Sequence, residues 1–190
     1  MFVIQNSNGN GSDSGGEVWQ LTPRYIPQYR ECQHRLQQHI RRTTIDEICQ
    51  MGCCNSAAIP ASAEKVWATI RDFHDLSWSA NVVQKVDAVG DAGGLEVGAK
   101  RVLNDAFQET LIELDDEGRE MRYTIDDGPG PVNSDNVTGY TGKVEAFPVK
   151  EDNTTFVLWT SEWSADGEEA KAFCDPIYQG LLADLKTHFT

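Results

Sequence analysis

The stretch IPASAEKVWATIRDFHDLSW, from Ile59 to Trp78, decides how the rest of the chain is read. Ser62 stands where a helix N-cap belongs, and Glu64 follows in the first turn, where the helix dipole favours an acid. Val66, Trp67, Ile70 and Phe73 then recur at helical spacing and predict a short amphipathic helix. The words FHDLSWSAN, residues 73–81, predict a second short helical turn. Residues 53–59, just upstream, suit a short strand. The chain therefore leaves its first strand through two short helices instead of a hairpin.

Downstream the apolar period changes from helical to alternating. Strand-like segments at residues 82–89, 99–104, 107–114, 120–126, 140–149 and 155–163 are separated by turn chemistry such as GDAGG, DDEG and KEDN. The last element spans residues 168–189, where Phe173, Ile177, Leu181 and Leu185 recur every four residues on one helical face. Pro176 breaks a rule inside it by removing a backbone donor and pushing Asp175 away from helical angles. Either the helix kinks there, or it starts afresh with Asp175 as cap and Pro176 in the first turn. The expected architecture is α+β: a seven-stranded antiparallel curved sheet wrapped around a long C-terminal helix. A sheet apolar on one face needs a cover, and the last helix supplies it. The concavity left between sheet and helix is the kind of space that binds small molecules.

Upstream of the opening stretch the composition differs. Residues 5–16 are Asn, Ser, Gly and Asp almost throughout, and segment 1–22 is expected to be disordered. Segment 23–50 reads as a helical extension rich in Gln and Arg, with a thin stripe of Leu36, Ile40, Ile45 and Ile48. Such a helix is marginal alone. The main domain is expected over residues 51–190, which makes residues 1–50 a variable extension with Met51 as a candidate natural start. A start there would create MGCCNS, an N-myristoylation pattern, but the same residues are needed for the first strand.

Charge follows the same boundary. The extension balances Arg24, Arg30, Arg35, Arg41 and Arg42 against Asp13, Glu17, Glu31, Asp46 and Glu47, so the whole net charge of −14 falls on the main domain. That surface repels phosphate backbones and argues against nucleic acid and anionic membrane as partners. No apolar run is long enough to insert into a bilayer. The first residues lack a basic region and an apolar run of signal-peptide type, so the expected compartment is the cytoplasm, with the five cysteines reduced.

The element order, together with IPASAEKVWATIRDFHDLSW, VGAKRVLNDAFQETLIELDDEGREMRYTIDDGP and FCDPIYQGLLADLKTHF, resembles the START-like helix-grip superfamily (SRPBCC). Its members include polyketide cyclase/dehydratase-like bacterial proteins and the plant abscisic acid receptors. The resemblance covers roughly residues 53–189. It is specific for the fold and weakly specific for activity, because the fold hosts carriers, receptors, cyclases and hydrolases.

The resemblance implies a pocket-facing set. It comprises Leu103, Asp105, Phe107 and Glu109, then Tyr123 and Ile125, then Leu158, Thr160 and Glu162 from the last strand, and Phe173, Ile177 and Leu181 from the helix. Glu109 and Glu162 match positions where the family carries pocket acids. Three readings of them stand: catalytic acid or base, anchor for water or a ligand hydroxyl, and solvent-exposed carboxylate. In the plant receptors a lysine after the first helices anchors the hormone carboxylate; Ser79 lies near that place here, and NDAF is too short for their gate loop. A pocket without that lysine favours neutral or hydroxylated ligands.

If the last strand is regular, Trp159 and Trp163 face away from Glu162 and need cover. A bulge, the N-terminal helix or the second subunit of a homodimer would supply it. His74 and Asp75 are sequence neighbours, which rarely orient one another as a catalytic pair. His34, His39 and the cysteines match no zinc spacing, and GDAGG lacks the lysine of a phosphate loop, so neither metal nor cofactor is expected. The leading function is binding of a small hydrophobic or hydroxylated molecule in the internal cavity. The alternative is a polyketide cyclase/dehydratase-type enzyme using Glu109 or Glu162.

Overall fold

The computed structural model describes residues 52–164 and 168–190. The chain runs β1 (Cys54–Ile59), α1 (Ala63–Ile70), a 3-10 turn (Ser77–Ser79), β2 (Val86–Val89), β3 (Lys100–Leu103), β4 (Phe107–Asp115), β5 (Glu120–Asp127), a second 3-10 turn (Gly130–Val132), β6 (Thr138–Val149), β7 (Thr154–Ser164) and α2 (Glu168–His188). All seven strands pair antiparallel in one sheet of order β1-β7-β6-β5-β4-β3-β2. This is the α+β helix-grip architecture. The expected segments 1–22 and 23–50, and Met51 itself, lie outside the described residues.

Local chemistry sets the strand ends. Asp115 Oδ1 accepts from the backbone N–H groups of Glu117 and Gly118, closing the β4–β5 turn. Asp152 Oδ1 does the same for Thr154 at the β6–β7 turn. Asn104 and Asp105 take up left-handed φ values of 51° and 57° between β3 and β4, a region these two residue types tolerate. Register shifts between Gln108 and Glu109, between Leu111 and Glu113, and between Thr138 and Thr141 interrupt the ladders, and such bulges bend a strand.

Several expectations change, and one alternative closes. Residues 82–85 form no strand, because the Asn104 side chain captures them: its Oδ1 accepts from the N–H groups of Gln84 and Lys85, and its Nδ2 donates to Val82 O. Helix α2 runs unbroken through Pro176, so it does not restart there. Its buried face is also rotated from the fourfold stripe. Ala170, Cys174, Tyr178, Leu181, Leu182 and Leu185 are buried, whereas Phe173 and Ile177 are half-buried. A strict spacing of four drifts about 40° per step off a face with 3.6 residues per turn, so the buried set alternates threes and fours.

The core joins this helix face to the inner faces of the strands and to Val66, Trp67, Ile70 and Phe73 of α1 and its exit. Cys53 and Cys174 are free buried thiols, whereas Cys54 is disulfide-bonded, which corrects the expectation that all cysteines are reduced. Among the described residues no helix is long and apolar enough to cross a membrane.

Candidate functional site

Strand alternation and helix periodicity bring one set of side chains into a shared hollow. In the β3–β4 hairpin, Leu103 pairs with Phe107 and Arg101 with Glu109. Positions two apart on a strand share a face, so all four project to the same side. Tyr123 and Ile125 join them from β5, Trp159 from β7, and Cys174, Ile177, Tyr178 and Leu181 from one face of α2. Leu76, Val82, Val83 and Asn104 complete the wall. The cavity measures about 110 Å³. Its buried end is formed by Tyr123, Trp159, Tyr178 and Cys174, while half-buried Val82, Asn104, Phe107, Ile125 and Ile177 lie towards the surface.

The mouth is braced on both sides. Besides the Asn104 bonds, Asp184 of α2 accepts from Ser79 Oγ at 2.9 Å and from Asn81 Nδ2 at 2.8 Å. Lys85 pairs with Asp105 and Asp87.

The wall holds a buried ion pair. Arg101 Nε and Nη2 each lie 2.7 Å from Glu109 Oε2, and the two side chains are only 5% and 6% exposed. Arg101 Nη1 donates to Phe73 O at 2.5 Å, and the guanidinium carbon sits 3.8 Å from the Phe73 ring centre. Burial pushes the Glu109 carboxyl above the ordinary carboxylate range, against the opposing pull of Arg101. Together the pair presents no net charge to the cavity.

The deep end carries a chain of phenols. Trp159 Nε1 donates to Tyr123 Oη at 3.0 Å, Tyr123 Oη donates to Tyr178 Oη at 3.3 Å, and the Tyr178 and Tyr140 hydroxyls are 3.0 Å apart. Burial raises the pKa of all three tyrosines, so the hydroxyls stay protonated. Tyr123 fits only because its cross-strand neighbour is Gly142: a Cβ there would come within 2.3 Å of the Tyr123 ring.

Of the residues anticipated for the pocket, Leu103, Phe107, Glu109, Tyr123, Ile125, Ile177 and Leu181 line this cavity. Five others do not. Asp105 occupies the β3–β4 turn, its side chain 70% exposed and paired with Lys85. Glu162 is 62% exposed and lies 3.6 Å from Arg122. Leu158 and Thr160 share the Glu162 face of β7, while Trp159, Ser161 and Trp163 are buried on the other. The physical reason is area. A one-residue change of parity flips every side chain of a strand, and this parity buries two indoles and Val157 in place of a carboxylate. The two tryptophans consequently need no cover from a partner. Phe173 packs on Phe107, 6.3 Å between ring centres, behind the cavity wall.

The residues missed are Arg101, Trp159, Tyr178, Cys174, Asn104 and the apolar trio Leu76, Val82 and Val83. Arg101 stands two residues before Leu103, on the same face, and pairs with Glu109 across the hairpin. His74 lies outside the cavity, its Nε2 3.0 Å from Lys100 O. Asp75 closes a turn by accepting from Ser77 N. Ser79 is committed to Asp184.

Residues 55–190 match the family described as polyketide cyclase/dehydrase and lipid transport. The chain belongs to this family. A solved protein from Nitrosospira multiformis is 41% identical, with a TM-score of 0.71, over 72% of this chain and 94% of that one. The protein XoxI from Bacillus cereus is 25% identical (TM-score 0.59; 72% and 93% of the two chains). A Thermobifida fusca protein is also 25% identical (TM-score 0.61; 72% and 91%). No protein of curated function matches the chain. Within the family's helix-grip frame, the cavity described above is where the sheet, the turn after α1 and α2 converge.

Proposed function

We infer that the protein binds a small hydrophobic or hydroxylated molecule in the cavity between the sheet and α2. The observation that carries this reading is the composition of the hollow: mainly apolar walls into which a few buried polar groups, Glu109, Tyr123, Trp159 and Tyr178, project. Apolar walls supply affinity, and sparse polar atoms supply orientation. Membership of a family whose description includes lipid transport is in keeping with it. The net charge of −14 supports a small-molecule partner over nucleic acid or an anionic membrane. Cytoplasmic residence is part of the proposal; the free thiols of Cys53 and Cys174 support it, and the disulfide at Cys54 opposes it.

Native mass spectrometry of the protein purified from its own host tests the reading. A bound small molecule that is released on unfolding is the expected result; ligand-free protein, with no small molecule recovered from the folded fraction, would refute it.

The rival reading is a cyclase/dehydratase-type enzyme in which the cavity positions the substrate and a carboxyl moves a proton. Its raised pKa within the cavity favours Glu109 for that role, and the exposure of Glu162 removes the other candidate. Glu109→Gln separates the two readings: loss of turnover with ligand affinity retained supports the enzyme.

A further inference from the structure

We propose that the cavity selects a neutral, single-ring hydroxylated molecule and excludes extended lipids and multi-ring polyketides, with the ligand hydroxyl donating to Oε1 of Glu109. This rests on the ligand-binding reading above and names the class of ligand.

Size sets the first limit. A water-sized body claims roughly 10–15 Å³ of a cavity, so about 110 Å³ admits on the order of ten non-hydrogen atoms. A long acyl chain or a fused tricycle carries roughly one and a half to two times that number of atoms.

Charge sets the second. Each of the three guanidinium nitrogens of Arg101 is already committed, two to Glu109 and one to Phe73 O. A ligand carboxylate would find no free cation in the wall and would meet the Glu109 charge. A ligand ammonium would meet Arg101.

Hydrogen bonding sets the third. Arg101 binds Glu109 through Oε2. Among the described residues no hydrogen bond to Oε1 is found, and Oε1 is not one of the fully enclosed atoms without a partner, so it keeps contact with the cavity that Glu109 lines. A carboxyl oxygen that faces an apolar cavity gains from a donor, and a ligand O–H supplies one. The phenol chain of Tyr123, Tyr178 and Tyr140 spends two of its three hydroxyl protons within itself, and its oxygens are weaker acceptors than the Glu109 carboxyl, which favours Glu109 as the acceptor. The ring of the ligand then rests between Phe107, Ile125, Ile177 and Leu181.

Calorimetric titration of the full chain with p-cresol, toluene, p-toluate, 1-anthrol and palmitate tests this. The expected order places p-cresol at least tenfold tighter than toluene, with no binding of p-toluate, 1-anthrol or palmitate. Glu109→Gln, checked for a native circular dichroism spectrum, should weaken p-cresol about tenfold more than it weakens toluene. If that variant fails to fold, the wild-type series decides alone. Equal affinity for p-cresol and toluene overturns the hydroxyl assignment while the binding reading survives. Tighter binding of palmitate or 1-anthrol overturns the size limit with the same survival. Binding of none of the five overturns this proposal, and the binding reading falls with it if the host-purified protein also carries no ligand.

Discussion

Arg101 and Glu109 face each other across the β3–β4 hairpin, 2.7 Å apart, with side chains only 5% and 6% exposed. Their pairing is the electrostatic fact on which the site turns. Removing one partner strands the other as a buried charge, which typically costs about 3–5 kcal/mol. Arg101→Met and Glu109→Gln are each expected to lose about that much in urea unfolding. The double variant Arg101→Met/Glu109→Leu should lose far less than the sum, because neither charge is then left behind. Additive losses would mean the pair is not coupled in solution.

The phenol chain predicts an alkaline signature. Folded-state pKa values of Tyr123, Tyr140 and Tyr178 are raised by burial. Groups shifted this way hold more protons when folded, so their stabilising contribution is complete below the ordinary phenol range. It is lost as pH rises from that range towards the folded values. Phenolate absorbance should therefore appear in two stages, the second coinciding with loss of the circular dichroism signal. Full, reversible ionisation of all five tyrosines with the fold intact would contradict the buried chain.

Gly142 is the seat of the Tyr123 ring, and a methyl group there has no room. Gly142→Ala is expected to cost about 1–3 kcal/mol by overpacking and to displace the Tyr123 hydroxyl from Trp159. The Trp159 indole N–H resonance reports the displacement. An unshifted resonance with unchanged stability would show the contact to be looser than described.

Asn104 holds the mouth. Asn104→Ala leaves the backbone N–H groups of Gln84 and Lys85 without their acceptor and puts alanine at φ 51°. The expected cost is about 1–3 kcal/mol. Hydrogen exchange should quicken at those two amides and leave β4 and β5 protected. Unchanged exchange at both amides would mean the loop is held by other contacts.

Why the fold was readable and the site only partly so comes down to particular residues. Segment 107–114 against the observed Phe107–Asp115, and 120–126 against Glu120–Asp127, show how closely alternation and turn residues mark strand ends. Those signals are local. Parity on β7 was not local: Glu162 and the neighbouring tryptophans alternate equally well in either sense, and the burial of two indoles settled it. Arg101 was passed over because a charged residue on an apolar face needs a partner, and that partner, Glu109, becomes visible only when the hairpin is folded about Asp105. The capture of residues 82–85 by one asparagine side chain has no periodic signature at all.

Ile177 lies at the half-buried end of the cavity on α2, so a larger side chain there takes up the space a ligand would need. Native mass spectrometry of Ile177→Trp beside the wild type, both purified from the original host, tests the central claim most directly. The variant should stay folded and lose the small molecule that the wild type carries. A folded variant carrying that molecule at wild-type occupancy would contradict the claim that this cavity is the binding site.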